Sequence, residues 1–241
     1  MPLIKFIMKH KIYFILLFLN IGIYAQNNSI YVEYGVKISV EEYFLNDKTL
    51  AESFINAAKD ASKLTFGLII KDNTSKFYDV DNGIEISNEI RIAKIDAKYM
   101  GVIYNIKDDV IKQSEFLGKN IYKKEKKIEN WILTSETKSI DGYLCYKATN
   151  TYTVVNSKGT FKFPVTAWYC PKLPYNFGPL GYGNLPGLIL ELQVRNVNYH
   201  SKKIDLSNKL DFDTEFLKKA TIVTEEELNK KIVEFNNFEE K

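Results

Sequence analysis

The sequence predicts an α+β fold that is mainly β: a strongly curved, half-barrel-like antiparallel sheet with two or three short helices. Three observations lead there. Aromatic residues are abundant, with 16 Tyr and 15 Phe, and β-branched residues are plentiful, a composition suited to pleated, half-buried strands. Apolar and polar residues alternate over short runs separated by polar turns. Helical spacing is confined to short stretches, each opened by a Thr-x-x-Glu capping box.

Residues 1–25 have the order of a secretory signal peptide. Basic Lys5, Lys9, His10 and Lys11 precede an apolar run from Ile12 to Ile23, and Tyr24-Ala25 precedes Gln26. Export is expected, with cleavage after Ala25 and one β-rich domain over 26–241. The apolar run falls short of the roughly 20 residues of a membrane span. No second run in the mature chain is long enough to span a membrane, and no cysteine follows the cleavage point. A periplasmic or secreted protein without a lipid anchor is therefore expected. The whole chain has 33 basic and 30 acidic residues, and the leader holds three of the lysines and no acid, so the mature chain is neutral. Arg91 and Arg195 are the only arginines, and nothing in this balance points to nucleic acid.

Along the mature chain, Ile30 to Val40 alternates and reads as a strand. Thr49 to Glu52 forms the first capping box, and Leu50, Phe54, Ala57 and Ala61 follow at helical spacing, predicting a helix over 50–61. Runs 64–70 and 75–80 flank Lys71-Asp-Asn-Thr74 as a hairpin. Residues 82–98 show no decided period. Runs 99–106, 110–116, 120–124 and 131–136 read as an antiparallel meander, with the Lys/Glu run 123–130 as a solvated edge or turn. Runs 143–155 and 160–170 make the longest hairpin, and 188–194 and 198–206 add two strands. Thr224 and Glu227 form the second capping box, with Val223 and Leu228 as its staple. The face carrying Leu228, Ile232 and Phe235 either packs on the sheet or meets a partner.

If the long hairpin turns between Ser157 and Lys158, facing residue numbers sum to 315 and Cys145 faces Cys170. Opposed Cβ atoms lie about 4.5–5.5 Å apart, within local adjustment of disulfide geometry. A bulge at Gly159 would slip the register by one residue. The pair is thus either a disulfide or two buried free thiols.

Catalytic residue types are scarce. Without the leader, His200 is the only histidine, no Cys-rich spacing replaces a histidine metal site, and neither metal nor cofactor is expected. There is no G-x-S-x-G elbow and no phosphate-cradling glycine fingerprint. Glu191 is the acid to single out, because strand alternation sets it beside Ile189 and Gln193, opposite Leu190 and Leu192. It either pairs with a lysine or Arg195, or serves as a polar anchor at a pocket mouth. A carboxylate-dependent hydrolase would need it with a second acid.

The stretch from Pro171 to Pro186 holds four of the chain's six prolines together with Tyr175, Phe177 and Tyr182. A loop of this length and composition is an ordered flap, acting either as a plug in which Leu185 and Leu188 fill the core or as a lid and docking surface. Its end, Leu185-Pro-Gly-Leu-Ile-Leu-Glu191, resembles the signature of the GLPGLI family of secreted bacterial proteins, as do Trp168-Tyr169, Pro171, Pro174, Gly178-Pro179 and the upstream run Ile140 to Ala148. The likeness covers residues 131–195. Asn184 stands where the family has its first glycine, and asparagine tolerates positive φ better than other non-glycine residues. The resemblance implies export but no particular chemistry. Together these readings point to a non-catalytic envelope protein that binds an apolar small molecule or another envelope protein. The candidate contacts are Trp168, Tyr169, Tyr175, Phe177, Tyr182 and Glu191, with Asn184, Leu185, Pro186, Gly187, Leu188 and Ile189 forming the signature turn. The hydrolase and a purely structural scaffold are the alternatives.

Overall fold

A computed structural model describes residues 29–239 except positions 84, 86, 117, 157 and 158. The expected leader and the tip of the long hairpin lie outside the described residues. The first six strands are β1 (Ser29–Ile38), β2 (Thr65–Lys71), β3 (Thr74–Asp79), β4 (Ile103–Ile106), β5 (Asp109–Phe116) and β6 (Lys119–Lys126). The remaining six are β7 (Ile132–Ile140), β8 (Tyr143–Asn156), β9 (Gly159–Cys170), β10 (Leu188–Val194), β11 (Val197–Asn208) and β12 (Ile222–Val223). They form one open sheet in the order β12-β6-β5-β4-β3-β2-β1-β11-β10-β9-β8-β7. Every pairing is antiparallel except β12 with β6. β6 lies next to one end of this order and β7 at the other, yet residues 127–131 alone join them.

Four α-helices are described where two or three were expected: α1 (Glu42–Leu45), α2 (Lys48–Asp60), α3 (Asn88–Asp96) and α4 (Glu225–Glu239). The undecided segment 82–98 is largely α3. Ser87 caps it, its Oγ accepting from the Ile90 N–H at 3.3 Å. Its other end closes with Tyr99 N–H donating to Lys94 O, which leaves Lys98 at φ 64°. Because Tyr99 belongs to that closure, the strand expected from it starts only at Ile103. Helix α2 starts before Thr49, since the Ala51 N–H already donates to Asp47 O at 2.8 Å, so the first capping box lies inside the helix. The second box forms as expected. Glu227 Oε2 accepts from the Thr224 N–H at 2.7 Å, and Thr224 Oγ1 accepts from the Glu227 N–H at 3.2 Å. Phe235 of α4 meets Phe116 edge-on at 6.4 Å, so that helix packs on the sheet side of β5.

One face of the sheet carries the main core. Val32, Tyr34 and Val36 of β1 alternate inward, as do Phe66 and Leu68 of β2, Leu192 of β10 and Tyr199 of β11. Phe66, Phe77 and Tyr199 pack ring against ring at 5.3–5.8 Å. The buried hydroxyls have partners: Tyr34 donates to Ile189 O at 2.6 Å and Tyr199 to Ala97 O at 2.8 Å. An unpaired hydroxyl there would cost about 1–3 kcal/mol. The first bond ties β1 to the start of β10, and the second ties the sheet to the end of α3. A smaller cluster of Tyr104, Ile111 and Leu217 lies on the opposite face.

Candidate ligand-binding site

The long hairpin contributes Tyr152 to the site. Its register is the expected one, with Val155 opposite Thr160 and Tyr146 opposite Tyr169. Cys145 follows at the next position, where β9 ends with Cys170, and in the structure both are buried free thiols. Burial, with Cys170 close by, pushes the Cys145 thiol up to about 12.

Leaving β9, the chain crosses the inner face before entering β10. Leu173, Phe177, Leu180 and Leu185 are all buried, as are Leu188, Ile189 and Leu190 at the start of β10. The Asn184 N–H donates to Asn176 O at 3.1 Å, and Phe177 bridges Gly183, which folds the loop onto itself. Two bonds pin it to the connection between β6 and β7. Trp131 Nε1–H donates to Gly183 O at 2.9 Å, and Asn184 Nδ2–H donates to Ile128 O at 3.0 Å. Asn184 sits at φ 60°, the left-handed conformation that favours glycine, and its side chain makes a hydrogen bond that glycine could not. Of the two readings of this loop, the packing is that of a plug.

Beside the plug lies a cleft of about 350 Å³, at the small end of the usual range for ligand sites. Leu180 and Tyr182 of the plug, Ile103 of β4 and Val194 of β10 supply apolar lining, and Tyr152 of β8 faces in from the long hairpin. Ile95 and Met100, at the end of α3, are 55% and 71% exposed there. Burial raises the Tyr182 hydroxyl far above its ordinary pKa, so it stays neutral. Three lysines, Lys98, Lys112 and Lys123, line the cleft together with Gly101, Gln113 and Ser114, and no carboxylate does. Glu125 lies 2.6 Å from Lys112 and 2.9 Å from Lys123, and lines an adjoining hollow with Lys112, Tyr152, Leu180 and Tyr182. Burial works against the charge of Lys123, but Glu125 and Glu225 outweigh it and raise its pKa. Positive φ at residues other than Gly, Asn and Asp occurs, among the described residues, at Lys98, Lys107, Leu180 and Arg195. Lys98 and Leu180 both line this cleft, and each holds a conformation that costs an ordinary side chain about 1 kcal/mol.

The expected contact residues do not share one surface. Tyr182 lines the cleft. Tyr169 is buried on the inner face against Tyr146, with ring centroids 6.1 Å apart, while Tyr175 and Phe177 pack into the core. Trp168 and Glu191 face each other across β9 and β10 on the opposite side of the sheet. There Lys138 bonds Glu191 Oε2 at 2.7 Å with its Nζ 4.4 Å from the Trp168 ring centre, and Asn198 donates to Glu191 Oε1 at 3.3 Å. Glu191 thus has the lysine partner expected of a half-buried acid, while Arg195 pairs with Glu41 instead. In the signature turn, Leu185, Gly187, Leu188 and Ile189 are buried or nearly so by their neighbours, and Asn184 and Pro186 are exposed. No motif links Lys98, Lys112, Lys123 and Tyr152, so the sequence does not point to them. Four separate elements bring them together, and only the fold makes them neighbours.

These features define a mainly β protein with an open sheet, a plugged inner face and an amphipathic cleft beside the plug. Residues 156–191, which include the whole plug, match a family described as "Protein of unknown function (Porph_ging)". No curated protein sequence matches the chain. Two crystal structures of PNGF-II, in space groups C2 and P21, are similar to it with TM-scores of 0.49 and 0.48 at 17% and 18% identity. Each likeness covers 82% of this chain but 31% or 32% of the PNGF-II chain, so this chain spans under half the length of those structures. Among the described residues no helix is long and apolar enough to cross a membrane.

Proposed function

We propose that this is an exported, non-catalytic envelope protein of the GLPGLI type, which binds a small apolar or amphipathic molecule in the cleft beside its signature loop. One observation carries the reading: the cleft is walled by Leu180 and Tyr182 of that loop, with Ile95 and Met100 exposed beside it. Exposed apolar side chains around a concave site are what a ligand with apolar surface would cover. A half-barrel bend of the sheet supports it further. Laid flat at about 4.8 Å per strand, β6 and β7 would stand tens of ångströms apart. The short connection 127–131 reaches only about 20 Å, so the sheet curls and encloses a concave side.

Native mass spectrometry of the protein, purified without detergent after export, tests the reading. A reproducible extra mass of small-molecule size, lost on substituting Tyr182 and Met100 with polar residues, is the expected result. A bare mass at low activation energy, together with no saturation transfer from any of a panel of single-chain amphiphiles, would overturn it.

A further inference from the structure

We infer that the ligand of this cleft is a single-chain amphiphile with an anionic head, with Lys98 and Lys112 holding the head and Ile95, Met100 and Tyr182 the apolar chain; this rests on the binding reading above. The chemistry of the lining argues for it. Three lysines face the cleft and no carboxylate does, although the mature chain is neutral as a whole. Glu125 is shared between Lys112 and Lys123, and Glu225 lies 2.6 Å from Lys123 on its other side. Lys98 makes no ion pair within 4 Å among the described residues, and Asp96 feels only its longer-range charge. Lys112 and Lys123 are thus bonded to carboxylates, and Lys98 is the one ammonium of the three with no bonded carboxylate among the described residues, on the cleft wall next to apolar surface.

The backbone at Lys98 points the same way. That residue ends α3 in the left-handed conformation, a position that glycine fills at little cost, and carries instead a long cationic side chain into the cleft lining. Lysines are point charges with rotatable donors, so they favour an anionic head without imposing the planar fork geometry that arginine would. A head of either carboxylate or phosphate type satisfies the lysines, and an apolar tail satisfies the exposed Ile95 and Met100.

The test compares dodecanoate, dodecyl phosphate and dodecanol below their aggregation limits by isothermal titration calorimetry, using the mature protein, the single variant K98Q and the double variant K98Q/K112Q. Lys98 has no ion pair to lose, and Lys123 still neutralises Glu125 when Lys112 is gone, so both variants keep the fold; equal melting temperatures verify this. The expected result is at least one anionic amphiphile binding ten-fold or more tighter than dodecanol. In K98Q/K112Q that ratio should fall toward one while dodecanol binding is unchanged, with K98Q in between. Preference for dodecanoate or for dodecyl phosphate identifies the head. Equal binding of anionic and neutral chains, or a preference that survives in both variants, overturns the inference and leaves the binding reading standing. No binding of any of the three overturns both.

Discussion

Replacing Gly187 by alanine tests how the signature turn is built. Gly187 has φ 152°, and a Cβ there would meet Cys170 O at 2.2 Å, Cys170 C at 2.5 Å and Pro171 N at 2.8 Å. These are backbone atoms at the point where the loop leaves β9, so no side-chain rotation relieves the clash. Forcing the strands apart costs about 1–3 kcal/mol as overpacking, and the unfavourable φ adds about 1–3 kcal/mol. A total near 3 kcal/mol corresponds to a fall in melting temperature of about 6–12 °C for a domain of this size. Gly142→Ala is the control, since Gly142 also has positive φ, at 79°, but nothing lies within 4 Å of its Cβ position. It should lose about 1 kcal/mol, from the backbone alone. Urea unfolding followed by tryptophan emission measures both, and Trp131, bonded to Gly183 in the same loop, reports the plug directly. If the two variants agree within about 0.5 kcal/mol, the close backbone approach assigned to Gly187 is wrong.

Other expectations follow from the same geometry. Asn184→Gly should be nearly neutral, within about 0.5 kcal/mol, because the lost bond to Ile128 O offsets the relieved backbone; a loss above about 2 kcal/mol would show that the side-chain tie dominates. Burial, then Lys37 and Lys202, hold the His200 imidazole below its ordinary 6.5, outweighing Glu191 and Asp141. The folded state therefore binds fewer protons than the unfolded one, so this stability is full above pH 6.5 and drains as pH falls toward the lowered value. His200→Asn should flatten the pH dependence of unfolding between about pH 5 and 7, and an unchanged slope would contradict the assignment. With its thiol near 12, Cys145 is on the order of one part in ten thousand thiolate at pH 8, and it is buried besides. Iodoacetamide should thus label the reduced native protein at least about 100-fold more slowly than the urea-unfolded chain, and equal rates would refute the buried-thiol environment. Lys138 and Glu191 are 32% and 24% exposed, so a double-mutant cycle with glutamine at each should give a coupling of about 0.5–1 kcal/mol; zero coupling would mean that the pair is only a geometric neighbour.

Strands with a clean two-residue period are legible in the sequence. β1, the β2–β3 hairpin and the β8–β9 register follow from alternation and turn residues, and the Thr224–Glu227 box marks the last helix through its own hydrogen bonds. In β10, by contrast, a bulge between Ile189 and Glu191 sets Ile189 opposite Tyr169 and Glu191 opposite Trp168, so the two do not share the face that alternation predicts. Segment 82–98 is not legible, because α3 has only nine residues and buries just Ile90 and Ala93, leaving too weak a period to see. Tyr99 and Thr49 mislead for a related reason. Helix ends are decided by which backbone carbonyl accepts which N–H, and side-chain preference is a minor vote in that competition.

Among the candidate contacts, aromatic content in one loop suggests a common surface that the fold does not build. Adjacent strand residues face opposite ways, so Trp168 and Tyr169 are separated by the thickness of the sheet itself. By itself, then, the sequence determined the mainly β class, the β2–β3 and β8–β9 hairpins and the poverty of catalytic residue types, all properties set by neighbours along the chain. Tertiary structure alone decided that the Pro171–Pro186 loop is a plug, that Glu191 belongs to Lys138, and that Lys98, Lys112, Lys123 and Tyr152 share a cleft. The physical reason is distance along the chain. Burial and charge pairing depend on which strands and loops the fold brings together, and local periodicity carries no record of that.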